Sequence, residues 1–355
     1  MPERAPGEAV KWYRCPLTKA ELAAMNSRSD LMGFAQTLGY LSVLVITGSA
    51  AYFSAGRAPW PVVVLLTYIH GSCWAFMING FHELLHDSVF KTRALNRFFL
   101  WVFSFFAQWN HHAFWASHTE HHKYTLHTPD DHEVVLPTRF TLKGFLRLAF
   151  VNTHQSWWGI WTHLRHASGR MEGHWETELF KDNPKEWKKL VNWARFLLAG
   201  QTAMLAAFCY FQLWMLIPLV TLTPYYGGGL QFLCNAVQHA GLTDNKPDFR
   251  LCCRTVYLNP VFQFLYWHMN YHTEHHMYAA VPCYNLGKLH RLIKHDMPPC
   301  PNGLYESWKV VIDIQERQKV DPAYQFIAAA PGRSTAVVAV AETRNQEVPV
   351  EAVSA

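Results

Sequence analysis

Charge is scarce in this sequence, and paired cysteines are missing altogether. Asp, Glu, Lys and Arg make up only 16% of the 355 residues, which is low for a water-soluble domain. The net charge of +5 is too mild to argue for a nucleic-acid partner. The eight cysteines (Cys15, Cys73, Cys209, Cys234, Cys252, Cys253, Cys283, Cys300) form no C-x-x-C pair, and several lie in or beside apolar stretches. That pattern argues against a Cys-rich zinc site or a disulfide framework and leaves reduced, structural thiols. The opening MPERAPGEAVKWYRCPLTKAEL is polar and has no apolar signal core, so export is not expected.

What is present is apolar and aromatic. Half of the residues are hydrophobic, with 15 Trp, 15 Tyr and 23 Phe, and rings of this kind favour the bilayer interface. Mean hydropathy is nonetheless near zero, at −0.06, so a long polar portion must accompany any buried one. Two apolar runs, 35–54 and 60–80, are each about as long as a bilayer-crossing helix and are joined by a short Gly-Pro-containing link. A second apolar stretch divides into 193–212 and 214–235, with Pro218, Pro224 and Gly227–Gly229 interrupting its latter half. Phe98–Gln108 is too short to cross and reads as an interfacial helix. The His-rich, basic region beyond it, with Trp157, Trp158 and Trp161, reads as a soluble cap with an amphipathic helix on the membrane surface. The expected fold is therefore all-α and integral to the membrane: four transmembrane helices in two hairpins, with a helical cap holding a di-metal site. The expected organisation is an N-terminal segment 1–34, a membrane domain 35–327 and a disordered tail 328–355. Thirteen Lys and Arg residues from Lys91 to Lys189 fall between the hairpins, against the single Arg57 in the first outer turn. The positive-inside rule then places the cap and both termini in the cytoplasm.

The 21 histidines carry the functional signal. His82-Glu83-Leu84-Leu85-His86 follows the second apolar run, and an i, i+4 pair shares one helical face. His118-Thr119-Glu120-His121-His122 and His272-Thr273-Glu274-His275-His276 repeat one HxxHH pattern. By independent-site arithmetic such a pattern would arise about 0.07 times in the chain, yet it occurs twice. Eight imidazoles exceed what one zinc ion takes and suit two ions. His70, inside an apolar run, reads as a hydrogen-bonded intramembrane group. His111, His112, His127, His132, His154, His163, His166, His174, His290 and His295 read as solvated or structural. Glu83, Asp87, Glu120 and Glu274 are candidates to orient imidazole N–H groups, with solvated helix faces as the plain alternative.

The three boxes, in this order and spacing, resemble the membrane fatty acid desaturase and hydroxylase superfamily over roughly residues 35–295. That resemblance implies two iron ions with O₂ as co-substrate. It implies His82, His86, His118, His121, His122, His272, His275 and His276 as ligands. An Asn four residues ahead of a His, here Asn235 and His239 in LCNAVQHAG, implies His239 as a ninth ligand and Asn235 as a water-mediated contact. The spacing within the boxes, and His272 at the head of the third, are similar to the bacterial-type branch, which implies a multi-pass protein of the bacterial inner membrane. The implied partners are a fatty acid or acyl-lipid substrate, the bilayer, and a separate electron donor such as a ferredoxin with its reductase.

Desaturation of an alkyl chain at an unactivated C–H bond is the expected reaction, with hydroxylation or decarboxylation of a free fatty acid to a 1-alkene as alternatives. Phe114, Trp115, Tyr266 and Trp267 are candidates to line the substrate path, and Arg165, Arg170 and Lys181 to hold a carboxylate. Two other classes compete. A zinc metalloprotease would use HELLH with Glu83 as general base, but leaves both HxxHH boxes unexplained. A metal transporter would want histidines inside the spans, whereas these boxes follow them.

Overall fold

The computed structural model describes residues 5–332, without the side chains of His154 and Gln155; from position 333 on, the expected tail falls outside the described residues. Helices and turns dominate, and among the described residues only isolated β-bridges occur.

The chain enters through a short helix, α1 (Lys19–Met25), closed by a capping box in which Thr18 accepts from the Glu21 N–H while the Glu21 carboxylate accepts from the Thr18 N–H. Helix α2 (Asp30–Ser54) begins five residues before the expected span, because Ser29 caps it and Asp30 accepts hydrogen bonds from the backbone and hydroxyl of Thr92. After the expected turn, α3 (Trp60–Trp74) runs on, with a break at Ala75–Phe76, into α4 (Met77–Leu85). Asp30–Ser54 and Trp60–Leu85 are long and apolar enough to cross a bilayer. Their outward faces carry exposed Val45, Ile46, Phe53, Trp60, Val64 and Leu65, a surface that water disfavours and lipid does not.

The second hairpin differs from the expectation. Helix α10 (Pro184–Tyr210) starts in polar sequence, capped by Asn183, and includes most of the anticipated 193–212 span. Residues 214–235 do not form one helix. They make a π-helical turn at Ile217–Thr221, a 3₁₀ turn at Thr223–Tyr225 and a short helix, α11 (Gly229–Asn235). Pro218 and Pro224 lack the N–H donors a continuous helix needs. The broken segment also lies too close to α3 for a helix with side chains: a Cβ on Gly71 would sit 2.2 Å from the Tyr226 ring, and Gly227, at φ +74°, abuts the Gly71 backbone.

Between these elements, α5 (Arg93–Ala107) buries Phe99 and Phe103 and exposes Phe98 and Trp101, as an interfacial helix does. Helix α6 (His111–Tyr124) bears the second histidine box. Helices α7 (Leu142–Ala149), α8 (Thr153–Ala167) and α9 (His174–Phe180) follow, and α8 exposes Trp157, Trp158 and Trp161. After α11 come α12 (Phe249–Cys252), α13 (Pro260–Leu265), α14 (His272–Met277) with the third box, α15 (Cys283–Ile293) and α16 (Gly303–Val320). Beneath the histidines lies an aromatic core of Tyr40, Phe76, Phe81, Phe103, Tyr266 and Trp267, all nearly inaccessible. Each such ring contributes about 1.5–3 kcal/mol when fully buried. The N-terminal residues are knit to the cap: Trp12 stacks on Phe249 with ring centroids 4.0 Å apart and donates from Nε1 to the Lys123 carbonyl at 2.8 Å.

Candidate metal centre

Four elements deliver the histidines. The end of α4 carries His82 and leaves His86 at its C-cap, α6 carries His118, His121 and His122, and α14 carries His272, His275 and His276. His239 stands on the turn after α11. All nine converge, in two groups: His82, His86, His118, His122 and His275 in one, and His121, His239, His272 and His276 in the other. Within each group the ring nitrogens lie within 4.8 Å of one another.

The hydrogen-bond partners behind the rings decide what those nitrogens can do. A neutral imidazole has one N–H and one lone pair. His239 donates from Nδ1 to the Cys252 carbonyl at 2.7 Å, so its Nε2 keeps the lone pair. The same holds for His82, His118 and His121, whose Nδ1 atoms face Glu83 (3.0 Å), Glu133 (2.9 Å) and Asp131 (2.9 Å). Thr125 donates its hydroxyl to the His121 carbonyl and so accepts from His276 Nδ1, at 3.1 Å. On these rings the Nε2 lone pair therefore points inward, and in both groups Nε2 atoms face each other. His82 and His118 approach to 2.7 Å, His118 and His122 to 3.0 Å, and His122 and His275 to 3.2 Å. In the other group His239 and His272 approach to 2.7 Å, and His272 and His276 to 3.0 Å. Opposed lone pairs at such distances repel unless a cation sits between them. Nitrogens bound at about 2.1 Å to one tetrahedral or octahedral ion lie about 3.0–3.4 Å apart, so the donor sets fit two ions. Burial disfavours protonation of most of these rings, pushing His239 down to about 3 and His118, His122, His272, His275 and His276 well below the ordinary histidine value; at His121 burial acts in the same direction, but the Asp131 and Glu133 carboxylates outweigh it and raise the ring.

Of the four acids singled out from sequence, only Glu83 reaches a ligand candidate; besides His82, it lies 3.6 Å from His275 Nδ1. Asp87 instead faces Arg93, at 3.6 Å, and Glu120 pairs with Lys123 at 2.7 Å. Glu274 is fully buried but turns away from the centre, accepting from Thr255 and His290, each at 2.5 Å. Sequence reading missed Asp131, Glu133, Thr125 and the Cys252 carbonyl. Asp131 also accepts from the N–H groups of Leu126 and Glu133. Burial raises the Asp131 carboxyl, but these bonds and His121 outweigh that and hold it below the usual range.

Asn235 is oriented through Tyr266, whose hydroxyl donates to Asn235 Oδ1 at 3.3 Å and accepts from Gln238 Nε2 at 2.6 Å. His70 is buried between helices: Nε2 donates to the Leu219 carbonyl at 2.9 Å, and Nδ1 faces the Thr47 hydroxyl at 2.9 Å. The other histidines, as far as their side chains are described, join neither group.

A cavity of about 630 Å³ runs to both groups, touching His82, His118, His121, His239 and His272. Its apolar walls include Trp74, Met77, Ile78, Phe114, Leu148 and Phe232, and among the described residues no Lys or Arg lines it. Asn235 and Gln238 face it beside the centre. Phe114 thus meets the expectation for a path residue; Trp115 lies instead on a separate cavity of about 430 Å³ that touches His86, His122 and His276. Trp267 is fully buried between Tyr40 and Phe103, at 5.8 and 5.5 Å between ring centroids. Of the carboxylate-binding candidates, Arg165 pairs with Glu172 and Glu176 and Lys181 with Glu178, and Arg170 lines neither cavity.

No curated protein matches the chain. Residues 58–307, well over half of the sequence, match the family model described as Fatty acid desaturase. These residues include all three boxes, both imidazole groups and the whole cavity wall, so the chain belongs to the fatty acid desaturase family, membrane-associated oxidoreductases of fatty acyl chains.

Proposed function

We propose that this protein is a di-iron enzyme that uses O₂ to dehydrogenate a fatty acyl or similar alkyl chain at an unactivated C–H bond. The observation that carries the reading is the largely apolar cavity, lined by no Lys or Arg among the described residues, that touches both imidazole groups. The nine histidines would hold two iron ions, with Asn235 contacting the centre through water. Bound iron and O₂ supply the oxidising power that side chains lack.

The rest is done by the chain. Trp74, Ile78, Phe114 and Phe232 hold the alkyl segment and keep water from it. Glu83, Asp131, Glu133 and the Cys252 carbonyl fix the imidazoles so that each Nε2 lone pair points at an ion. Reduction of O₂ to two waters takes four electrons. Two come from the C–H bonds that become the double bond, and two from a separate donor of ferredoxin type. The cap and both termini are taken as cytoplasmic, with the apolar helices in the membrane.

Decarboxylation would place the carboxylate within about two bonds of the attacked carbon, inside the cavity. A carboxylate there finds no Lys or Arg among the described residues, so ions held by the imidazole groups would be its cationic partners. Hydroxylation and decarboxylation are both rivals, since each shares the first C–H cleavage. The protease reading loses support because Glu83 lies behind the imidazoles, off the cavity wall, with its carboxylate directed at His82 and His275.

Feeding deuterated lauric acid to cells that express the protein tests the proposal by GC–MS. An internal alkene with loss of two deuteriums is the expected product. Volatile 1-undecene alone, or the hydroxylated acid alone, would overturn dehydrogenation.

A further inference from the structure

The other eight histidines lie on a helix or, for His86, directly at its C-cap, whereas His239 stands on an irregular turn four residues beyond α11. Backbone carbonyls in such a turn lack helical partners and need donors from elsewhere. Residues 252–254 supply them. The Arg254 N–H donates to the Gln238 carbonyl at 2.8 Å. The Arg254 guanidinium donates from Nη1 to the Val237 carbonyl and from Nη2 to the Ala240 carbonyl, the latter at 3.2 Å. With the His239 Nδ1 bond to the Cys252 carbonyl, four hydrogen bonds clamp the turn on both sides of His239.

Arg254 is only 7% exposed, and among the described residues no carboxylate lies within ion-pair distance of it. Burying a cation without a counter-ion costs stability, so filling space does not account for it. What a guanidinium offers is a planar fork that reaches two carbonyls at once, which a lysine ammonium cannot reproduce.

We propose that Arg254 is a positioning residue for His239 and governs ion binding at the four-histidine group while leaving the five-histidine group unaffected. The inference rests on reading the two groups as metal sites. Removal of a group that orients a ligand typically weakens metal binding 10–100-fold. The four-histidine group, with one ligand fewer and that ligand on a turn, is where the loss falls.

The test uses the full chain in detergent, loaded with Fe(II) alone under anaerobic conditions, with ions counted after desalting and their release to a chelator followed by absorbance. Wild type should hold two ions and His239→Ala one. Arg254→Lys and Arg254→Met should release one ion roughly 10- to 100-fold faster than wild type and the other at the wild-type rate. Adding Arg254→Lys to His239→Ala should change nothing further, because the two substitutions act on one site. The lysine variant keeps the charge and most of the volume, so it remains informative if the methionine variant does not fold. Wild-type release from Arg254→Lys would overturn the role of the fork, and equal acceleration at both sites would overturn its selectivity. A wild-type chain that fails to hold two ions would overturn the metal reading itself, and is visible before any variant is made.

Discussion

Asp131 and Glu133 sit 2.9 Å from the Nδ1 atoms of His121 and His118, and their loop turns back beneath α6 to place them there. Carboxylates in this position fix the ring and raise the basicity of the other nitrogen. Asp131→Asn should therefore weaken ion binding about 10–100-fold, while Glu120→Gln, whose partner is Lys123 on the surface, should leave it unchanged; chelator competition measures both. Burial sets a pH dependence as well. With His239 at about 3 in the folded chain and ordinary histidine near 6.5 when unfolded, the unfolded chain binds more protons between those values. Stability therefore falls as pH drops from about 6.5 toward 3. Chelator-treated protein should melt at lower temperature at pH 5 than at pH 7.5; a flat or inverse profile would contradict the burial of neutral imidazoles.

At the scale of elements, α4 reaches the centre only because Gly80 has no side chain. A Cβ there would meet Phe103 at 2.4 Å and Trp267 at 2.5 Å, both rings in the buried core. Gly80→Ala should cost about 1–3 kcal/mol and lower the melting temperature by several degrees, whereas Gly159→Ala on α8, with open space around it, should not. The box histidines were legible because i, i+3 and i+4 on one helix is a local rule. The same rule explains two false leads. Glu120 lies two residues from His118, and Glu274 two from His272, so both point to the opposite face and find Lys123 and His290 instead. Asp87 lies past the end of α4 at φ +55°, which turns it toward Arg93. Asp131, Glu133 and Cys252 were not legible, because the two acids reach their imidazoles from a loop and Cys252 from the end of α12, along paths no local spacing encodes. The 214–235 span was legible as apolar but not as broken into its particular turns, which depend on the close approach of Gly227 to Gly71.

For the molecule as a whole, two apolar helices stand beside a polar, histidine-bearing cap, and the proposed orientation puts that cap and both termini in the cytoplasm. Single cysteines introduced at position 170 and at the C-terminus of an otherwise cysteine-free chain should resist an impermeant thiol reagent in intact cells and react after lysis. Labelling of either in intact cells would refute that orientation. In the proposed function the cavity beside the nine histidines takes the alkyl chain and the two imidazole groups share the metal. One chain is thus proposed to hold two iron ions and to oxidise its substrate only with both in place. Elemental analysis of active protein, purified without chelator from iron-supplied cells, tests it most directly: two irons per chain are predicted, with activity lost in His121→Ala and His275→Ala. Active protein that contains zinc alone, or a single ion per chain, would contradict it.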